Sequence, residues 1–321
     1  MTAMMLRGLL SLLSPAGAGA RLSTLIFHRV LPAPDPLAPG EIDVVAFDQI
    51  CAWVAAWFQV LPLDEAVERL KRDDLPARAL CITFDDGYAD NQVLALPILQ
   101  RHGLSATFYV ATGFLDGGRM WNDTVIESVR RSTLPALALH QLGLPDLGLL
   151  PLGDATQRRA AIKALLDRLK YRPVAERLDL VSAVAAAAGA ALPDDLMMRS
   201  DQVRVLHQAG MLIGAHTVSH PILAVLDPEA ARREIDTSRQ QLEALLAAPV
   251  KHFAYPNGVP GRDFTDDTAA MVRGLGFDSA VTTGWGAARS GADCHQLPRF
   301  TPWDRSRARF GMRLAHNLWA R

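Results

Sequence analysis

Residues 79–91 read ALCITFDDGYADN, and their order decides the fold. A run of apolar and β-prone residues up to Phe84 has the look of a buried strand. It stops at two adjacent carboxylates, Asp85 and Asp86, with Gly87 immediately after. Nothing in folding asks for that pair. Neighbouring carboxylates repel, and each loses stability if it is desolvated without a partner. Something has to compensate them.

Short β-rich runs recur on both sides of this stretch, at 22–28, 58–61, 79–85, 105–111, 211–216, 252–255 and 279–283. Helical patterns fall between them at 47–57, 64–72, 90–102, 200–209, 228–246 and 265–274. Several helical runs end in glycine, as in RHGL, QAGM and GLGF, which suits a helix C-terminus before a strand. Alternation of strand and helix predicts a parallel sheet, because each parallel connection needs a crossover. Seven such units close most naturally on themselves. The expected class is α/β, a distorted seven-stranded (β/α) barrel. Residues 117–198 interrupt the pattern. QRRAAIKALLDRL and VAERLDLVSAVAAAA read as helices there, and LPALALHQLGLPDLGLLPLGD as a leucine- and proline-punctuated connector, so a helical insertion is expected.

Composition narrows the function classes. Of 321 residues, 50% are hydrophobic, ample for a core. Lys+Arg 33 against Asp+Glu 34 leaves a formal charge of −1, so no global basic field exists to hold nucleic acid. Cys51, Cys81 and Cys294 make neither a disulfide framework nor the close spacing of a zinc site, and a reducing compartment is the default. Residues 1–21 carry one early arginine, a short apolar stretch and then small residues. They read either as a weak signal-like segment or as an amphipathic helix lying on the fold or on a membrane surface. The rest, 22–321, is the domain itself. A cytoplasmic or membrane-peripheral location is expected, with export as the alternative.

The unusual polar residues collect at the carboxyl ends of the expected strands. His28 ends the first, Asp85 and Asp86 the third, His216 the fifth and Tyr255 the sixth. Parallel barrels keep their sites on that face. HTVSH puts His216 and His220 four residues apart, and on a helical turn both imidazoles would grip one divalent cation. Alone that spacing is weak. With an Asp-Asp pair on a neighbouring strand end it describes two histidines and one carboxylate, a three-ligand site with open positions. A cation would neutralise one aspartate and leave the other free to take a proton from water.

TFDDG at 83–87 and HTVSH at 216–220 resemble the first two motifs of the polysaccharide deacetylase family, the carbohydrate esterases of the NodB homology domain. FAYPNG at 253–258 is similar to a third, cleft-lining motif, and IFHRV at 26–30 resembles an amino-terminal motif of the poly-N-acetylglucosamine deacetylase branch. The resemblance implies that Asp85 is the general base, that Asp86, His216 and His220 hold a divalent metal, most simply Zn2+, and that His28 is the acid. It implies hydrolysis of N-acetyl groups from amino sugars of an N-acetylated glycan, such as a bacterial exopolysaccharide, with backbone N–H groups near Tyr255 stabilising the oxyanion. Tyr255, Pro256, Asn257, Tyr88 and Trp121 become candidate substrate contacts. The third motif usually begins with an arginine that orients the base, and here Phe253 or Ala254 stands in its place. Arg299 in LPRF is the candidate to supply that guanidinium instead, at the edge of the substrate cleft. Other readings of the same residues are a deacylase of a lipid-linked sugar or non-sugar amide, and a catalytically silent glycan-binding module.

Overall fold

A computed structural model describes residues 3–139 and 144–319, so part of the expected connector lies outside the described residues. The chain divides into two compact units. The larger comprises Met1–Ala33, Ile42–Asp116 and Met198–Arg321, the smaller Pro34–Glu41 and Gly117–Met197.

In chain order the elements begin with α1 (Ala3–Leu13), β1 (Arg21–Phe27), β2 (Val30–Leu31), β3 (Ile42–Asp43), α2 (Val44–Trp57), β4 (Gln59–Val60), α3 (Leu63–Lys71) and β5 (Ala79–Phe84). Next come α4 (Leu96–Arg101), β6 (Thr107–Val110), α5 (Trp121–Arg131), β7 (Ala136–Ala138), β8 (Leu149–Pro151), α6 (Ala155–Leu169) and α7 (Val174–Ala188). The chain continues through α8 (Ser200–Gln208), β9 (Leu212–Ala215), α9 (Pro228–Leu246), β10 (His252–Ala254), α10 (Asp266–Gly274), β11 (Ser279–Val281), β12 (Ala288–Arg289) and α11 (Arg307–Trp319). Local chemistry starts several helices. Asp43 accepts from Ala46 N to cap α2, and Asp227 accepts from Ala230 N ahead of Pro228 at the start of α9.

The main sheet runs β11-β10-β9-β6-β5-β1-β12, parallel from β11 to β1. Every residue of β5 is buried, as expected of a parallel strand covered on both faces. The gap between β11 and β1 is bridged by residues 297–300. Leu297 pairs in parallel with Val281 and Phe300 with Leu25. Leu297 N donates to Ala280 O at 2.9 Å, and Phe300 N to Thr24 O at 2.7 Å. This short extended segment is the seventh stave. The expected strand at 58–61 is instead β4, which pairs only with Ala79 and Leu80 of β5. It can go no further because Pro62 begins α3.

Alternation along the strands sorts side chains between two cores. Leu22, Cys81, Tyr109, Ala254, Val281 and Leu297 share one cluster. Leu25, Phe27, Phe84, Phe108, Phe253 and Phe300 belong to the other, which packs against the helices. The first set is the barrel interior. Gly214 is required there, since a Cβ at that position would lie 2.4 Å from the Tyr109 ring.

Two further expectations change. The helix at 90–102, for which Asp90 stands in the N-cap position by sequence, opens with a wider turn over Asn91–Ala95, and the Asp90 side chain makes no cap hydrogen bond. The Asp90 carboxylate accepts instead from Arg29 Nε at 2.8 Å and Val30 N at 3.1 Å. The smaller unit, expected to lack strands, contains an antiparallel pair, β7 with β8. Three-residue strands of leucine, alanine and proline carry no β-branched signal. Helices α5, α6 and α7 of that unit enclose Val125, Val129, Leu165, Leu169 and Val184.

Candidate metal centre

Backbone geometry separates the two adjacent carboxylates. Asp85 N donates to Phe27 O at 2.9 Å, holding Asp85 in register with β1. Asp85 continues the inward parity of Cys81 and Thr83. The next residue leaves the sheet abruptly: Asp86 has φ +75° and Gly87 φ +88°. A left-handed non-glycine residue costs roughly 1–3 kcal/mol and persists only where its surroundings hold it. Ala111 N, donating to Asp86 O at 3.3 Å, is one such restraint.

Asp85 and Arg299 form a buried bidentate pair. Nη1 donates to Oδ1 at 2.7 Å and Nη2 to Oδ2 at 2.6 Å. The guanidinium is itself anchored, with Nε on Thr282 O at 2.8 Å and Nη1 on Thr83 Oγ1 at 3.2 Å. Burial pushes the Asp85 carboxyl up, but the Arg299 charge, with help from His216, outweighs it and holds the group below the usual carboxylate range. Asp85 is therefore ionised.

Asp86 faces the histidines. His216 Nε2 lies 3.3 Å and His220 Nε2 3.4 Å from Asp86 Oδ1. The two rings are 4.8 Å apart. His216 Nδ1 donates to Ala254 O at 2.7 Å, which turns Nε2 toward Asp86. Burial opposes ionisation of Asp86, yet the neighbouring imidazole of His216, with those of His220 and His28, brings it below its ordinary value. Burial pulls His220 down to about 4, so its ring is neutral at pH 7. At His216 the carboxylates outweigh burial and lift the imidazole, so a proton and a cation compete for the nitrogen facing Asp86.

The HTVSH segment is not a helical turn. It is a bent loop in which Thr217 (φ +64°) and His220 (φ +52°) are both left-handed. Thr217 Oγ1 accepts from His220 N at 3.1 Å. Glu234, on α9, accepts from Val218 N and Ser219 N, both at 2.9 Å, and from Ser219 Oγ at 2.7 Å. Convergence of the imidazoles thus comes from a tethered loop rather than from helical spacing. Glu234 was not visible as a site residue, since an acid beside a buried isoleucine on a long helix reads as a solvated edge.

One carboxylate oxygen and two imidazole nitrogens here lie within 4.8 Å of one another. Asp86 Oδ1 is buried and makes no hydrogen bond. A buried charged oxygen without a donor is costly. The donor set fits a divalent cation, zinc or another first-row metal.

His28 follows β1 with the inward parity of Leu22, close enough to Asp85, Asp86 and His220 to bear on their ionisation. Its backbone carbonyl is held by Asn91 Nδ2 at 2.8 Å. The other candidates sit differently. Tyr255 has the outward parity of Phe253: it is fully buried, stacks on Phe264 at 3.8 Å and donates its hydroxyl to His295 O at 2.8 Å. Its N–H is committed to Val281 O at 3.3 Å, so neither group faces the metal ligands. Tyr88 is buried, with the Arg29 guanidinium 4.6 Å from its ring centre. Pro256 is buried, and Asn257 is left-handed in a turn whose carbonyl accepts from Thr283 Oγ1 at 2.8 Å. Trp121 opens α5 in the smaller unit, its ring 5.0 Å from the Arg177 guanidinium.

Residues 72–143 and 156–280 match the family model for polysaccharide deacetylases. YxkH of Bacillus subtilis (strain 168) is 31% identical over 93 residues, which is 28% of this chain and 32% of that protein. The chain thus matches about a third of that relative's length. Among solved structures, the Streptococcus pyogenes deacetylase PplD in complex with acetate superposes with TM-score 0.58 at 20% identity, covering 88% of this chain and 92% of that one. IcaB from Ammonifex degensii gives TM-score 0.57 at 18% identity, covering 96% and 99%. The BpsB deacetylase domain from Bordetella bronchiseptica gives 0.54 at 16%, covering 88% and 95%. At these identities the likeness is one of fold.

Proposed function

Because the chain belongs to the polysaccharide deacetylase family, we propose that it is a metal-dependent hydrolase removing N-acetyl groups from the amino sugars of a glycan. The observation that carries this reading is an ionised carboxylate, Asp85, held by Arg299 beside a separate set of metal donors, Asp86, His216 and His220.

A divalent cation on Asp86, His216 and His220, zinc by its nitrogen and oxygen ligation, would supply Lewis acidity toward the acetyl carbonyl and acidify water. Asp85 is not needed as a ligand. Its two oxygens are oriented by Arg299, and one of their remaining lone pairs accepts the proton of the attacking water. As the tetrahedral carbon collapses, the C–N bond breaks, and His28 delivers a proton to the departing nitrogen. The products are acetate and a free amino sugar. A bacterial exopolysaccharide or cell-surface glycan is the substrate class that the poly-N-acetylglucosamine-like motif at 26–30 favours.

Acetate release from N-acetylglucosamine oligomers tests the reading. Chelation should abolish turnover and added Zn2+ restore it. Asp85→Asn should lower kcat by about 10²–10⁴ while leaving bound metal in place. Glycan binding without any turnover, or an Asp85→Asn enzyme equal to wild type, would make this a silent binding module instead.

A further inference from the structure

Two helices of the larger unit leave large apolar side chains in water. α1 buries Leu6 and Leu10 but leaves Met4 83%, Leu9 40% and Leu12 82% exposed. α11 buries Phe310, Leu314 and Leu318 and leaves Met312 64% and Trp319 66% exposed. Met312, His316 and Trp319 follow i, i+4, i+7 spacing and so lie along one line of the helix. Trp285 extends that line, its ring 5.0 Å from His316, which in turn lies 6.2 Å from Trp319.

The two helices are neighbours. Leu6 of α1 fills the notch at Gly311 of α11, where a Cβ would come within 2.4 Å of Leu6 Cδ2. Single exposed apolar residues are ordinary, but a group of them on adjacent helices marks an interaction surface.

Charge selects the occupant. α1 carries Arg7 and no acid. Residues 305–321 carry Arg305, Arg307, Arg309, Arg313 and Arg321, again with no acid. Asp304, just before them, is tied to Arg313 at 2.7 Å. Leucine, methionine and tryptophan rimmed by arginines that outnumber the single carboxylate of Asp304 is the composition of a surface that lies in the headgroup layer of a bilayer. No helix among the described residues is long and apolar enough to cross one.

We propose that the α1/α11 face docks on the surface of an anionic phospholipid bilayer. Leu9, Leu12, Met312 and Trp319 enter the acyl boundary, and the arginines neutralise headgroup phosphates. The docking is separate from the hydrolytic reading and does not depend on it.

Flotation of the full chain with vesicles tests this. It should co-float with phosphatidylglycerol/phosphatidylcholine vesicles, bind pure phosphatidylcholine at least ~10-fold more weakly, and detach as salt rises. Trp319 emission should shift to the blue on binding. The triple variant Leu12→Gln/Met312→Gln/Trp319→Gln should lose at least ~10-fold in partition with an unchanged Tm, because all three side chains are exposed. Equal partition on both vesicle types, no loss in the triple variant, or a self-association that the triple variant abolishes would overturn the proposal. The last outcome would assign the face to a second copy of the chain.

Discussion

Arg299 meets Asp85 with two parallel hydrogen bonds, 2.7 and 2.6 Å, across 214 residues of chain. Both groups are buried, Arg299 to 1% exposure and Asp85 to 3%. The guanidinium belongs to the closing stave, not to the strand that bears Phe253. The Asp85 carboxylate stays charged inside the barrel because that arginine is there.

Removing one partner should therefore cost more than a surface pair would. Arg299→Met is expected to destabilise the fold by about 3–5 kcal/mol, since it strands a buried carboxylate. It should also lower acetate release at least ~10²-fold, through loss of the ionised base. Arg299→Lys, which keeps a charge but not the fork, should fall between. Combining Arg299→Met with Asp85→Asn should recover most of the stability and none of the activity. Additive losses in urea denaturation would disprove the coupling.

Glu234 tethers the loop that carries both histidines, and on the proposed reading it would act on the metal through that loop. Glu234→Gln replaces one accepting oxygen by a donor that faces other donors, and Glu234→Ala removes all three bonds. Metal affinity should weaken by about 10–100-fold, the range for partners one layer outside a metal. Excess Zn2+ should recover much of the lost turnover. Titration against a chromophoric chelator reads the affinity directly, and an unchanged value would mean the loop holds itself.

His252 gives the fold a pH dependence remote from the site. It is buried at the start of β10, its Nδ1 2.9 Å from Ser279 Oγ. Burial lowers its pKa from 6.5 to about 4. Above pH 6.5 the ring is neutral in both folded and unfolded states, and the shift costs nothing. Between pH 6.5 and 4 the unfolded chain takes the proton first, so stability falls as pH falls, by roughly 3 kcal/mol in all. His252→Asn should flatten that part of the stability profile, measured by thermal melts across the range. A variant profile parallel to wild type would count against this.

Gly214→Ala should disturb the barrel interior. The new methyl would meet Tyr109 ring carbons at 2.4 and 2.5 Å and the His252 carbonyl at 2.9 Å. A ring and a backbone group cannot both yield cheaply, so a loss of about 1–3 kcal/mol or more is expected. Tyr109→Leu in the same background should return part of it, as denaturation midpoints would reveal.

Six barrel strands could be read from the sequence because a parallel strand writes a local signature: a short apolar run between helical patterns. The candidate metal donors could be picked out for the same reason, as polar residues where such runs stop. Tyr255 misled because its position along the strand suggested the site, while the period of two puts its side chain on the outer face. Parity with Ala254 was the available signal. The closing stave was not legible. QLPRF offers five residues, one of them proline, and its pairing depends on Val281 beyond an intervening loop and on Leu25 near the other end of the chain. The left-handed backbone at Thr217 and His220 was hidden likewise, since the loop is held by tethers from Glu234, from the Thr217 hydroxyl and from Thr112 N and Gly113 N.

The segment that completes the ring also delivers the counter-ion of Asp85. During synthesis, β5 and its two aspartates leave the ribosome long before residue 299. Until then the nascent chain holds Asp85 without its guanidinium. Closure of the barrel and charge compensation of Asp85 are therefore one event, timed by the arrival of the last stave.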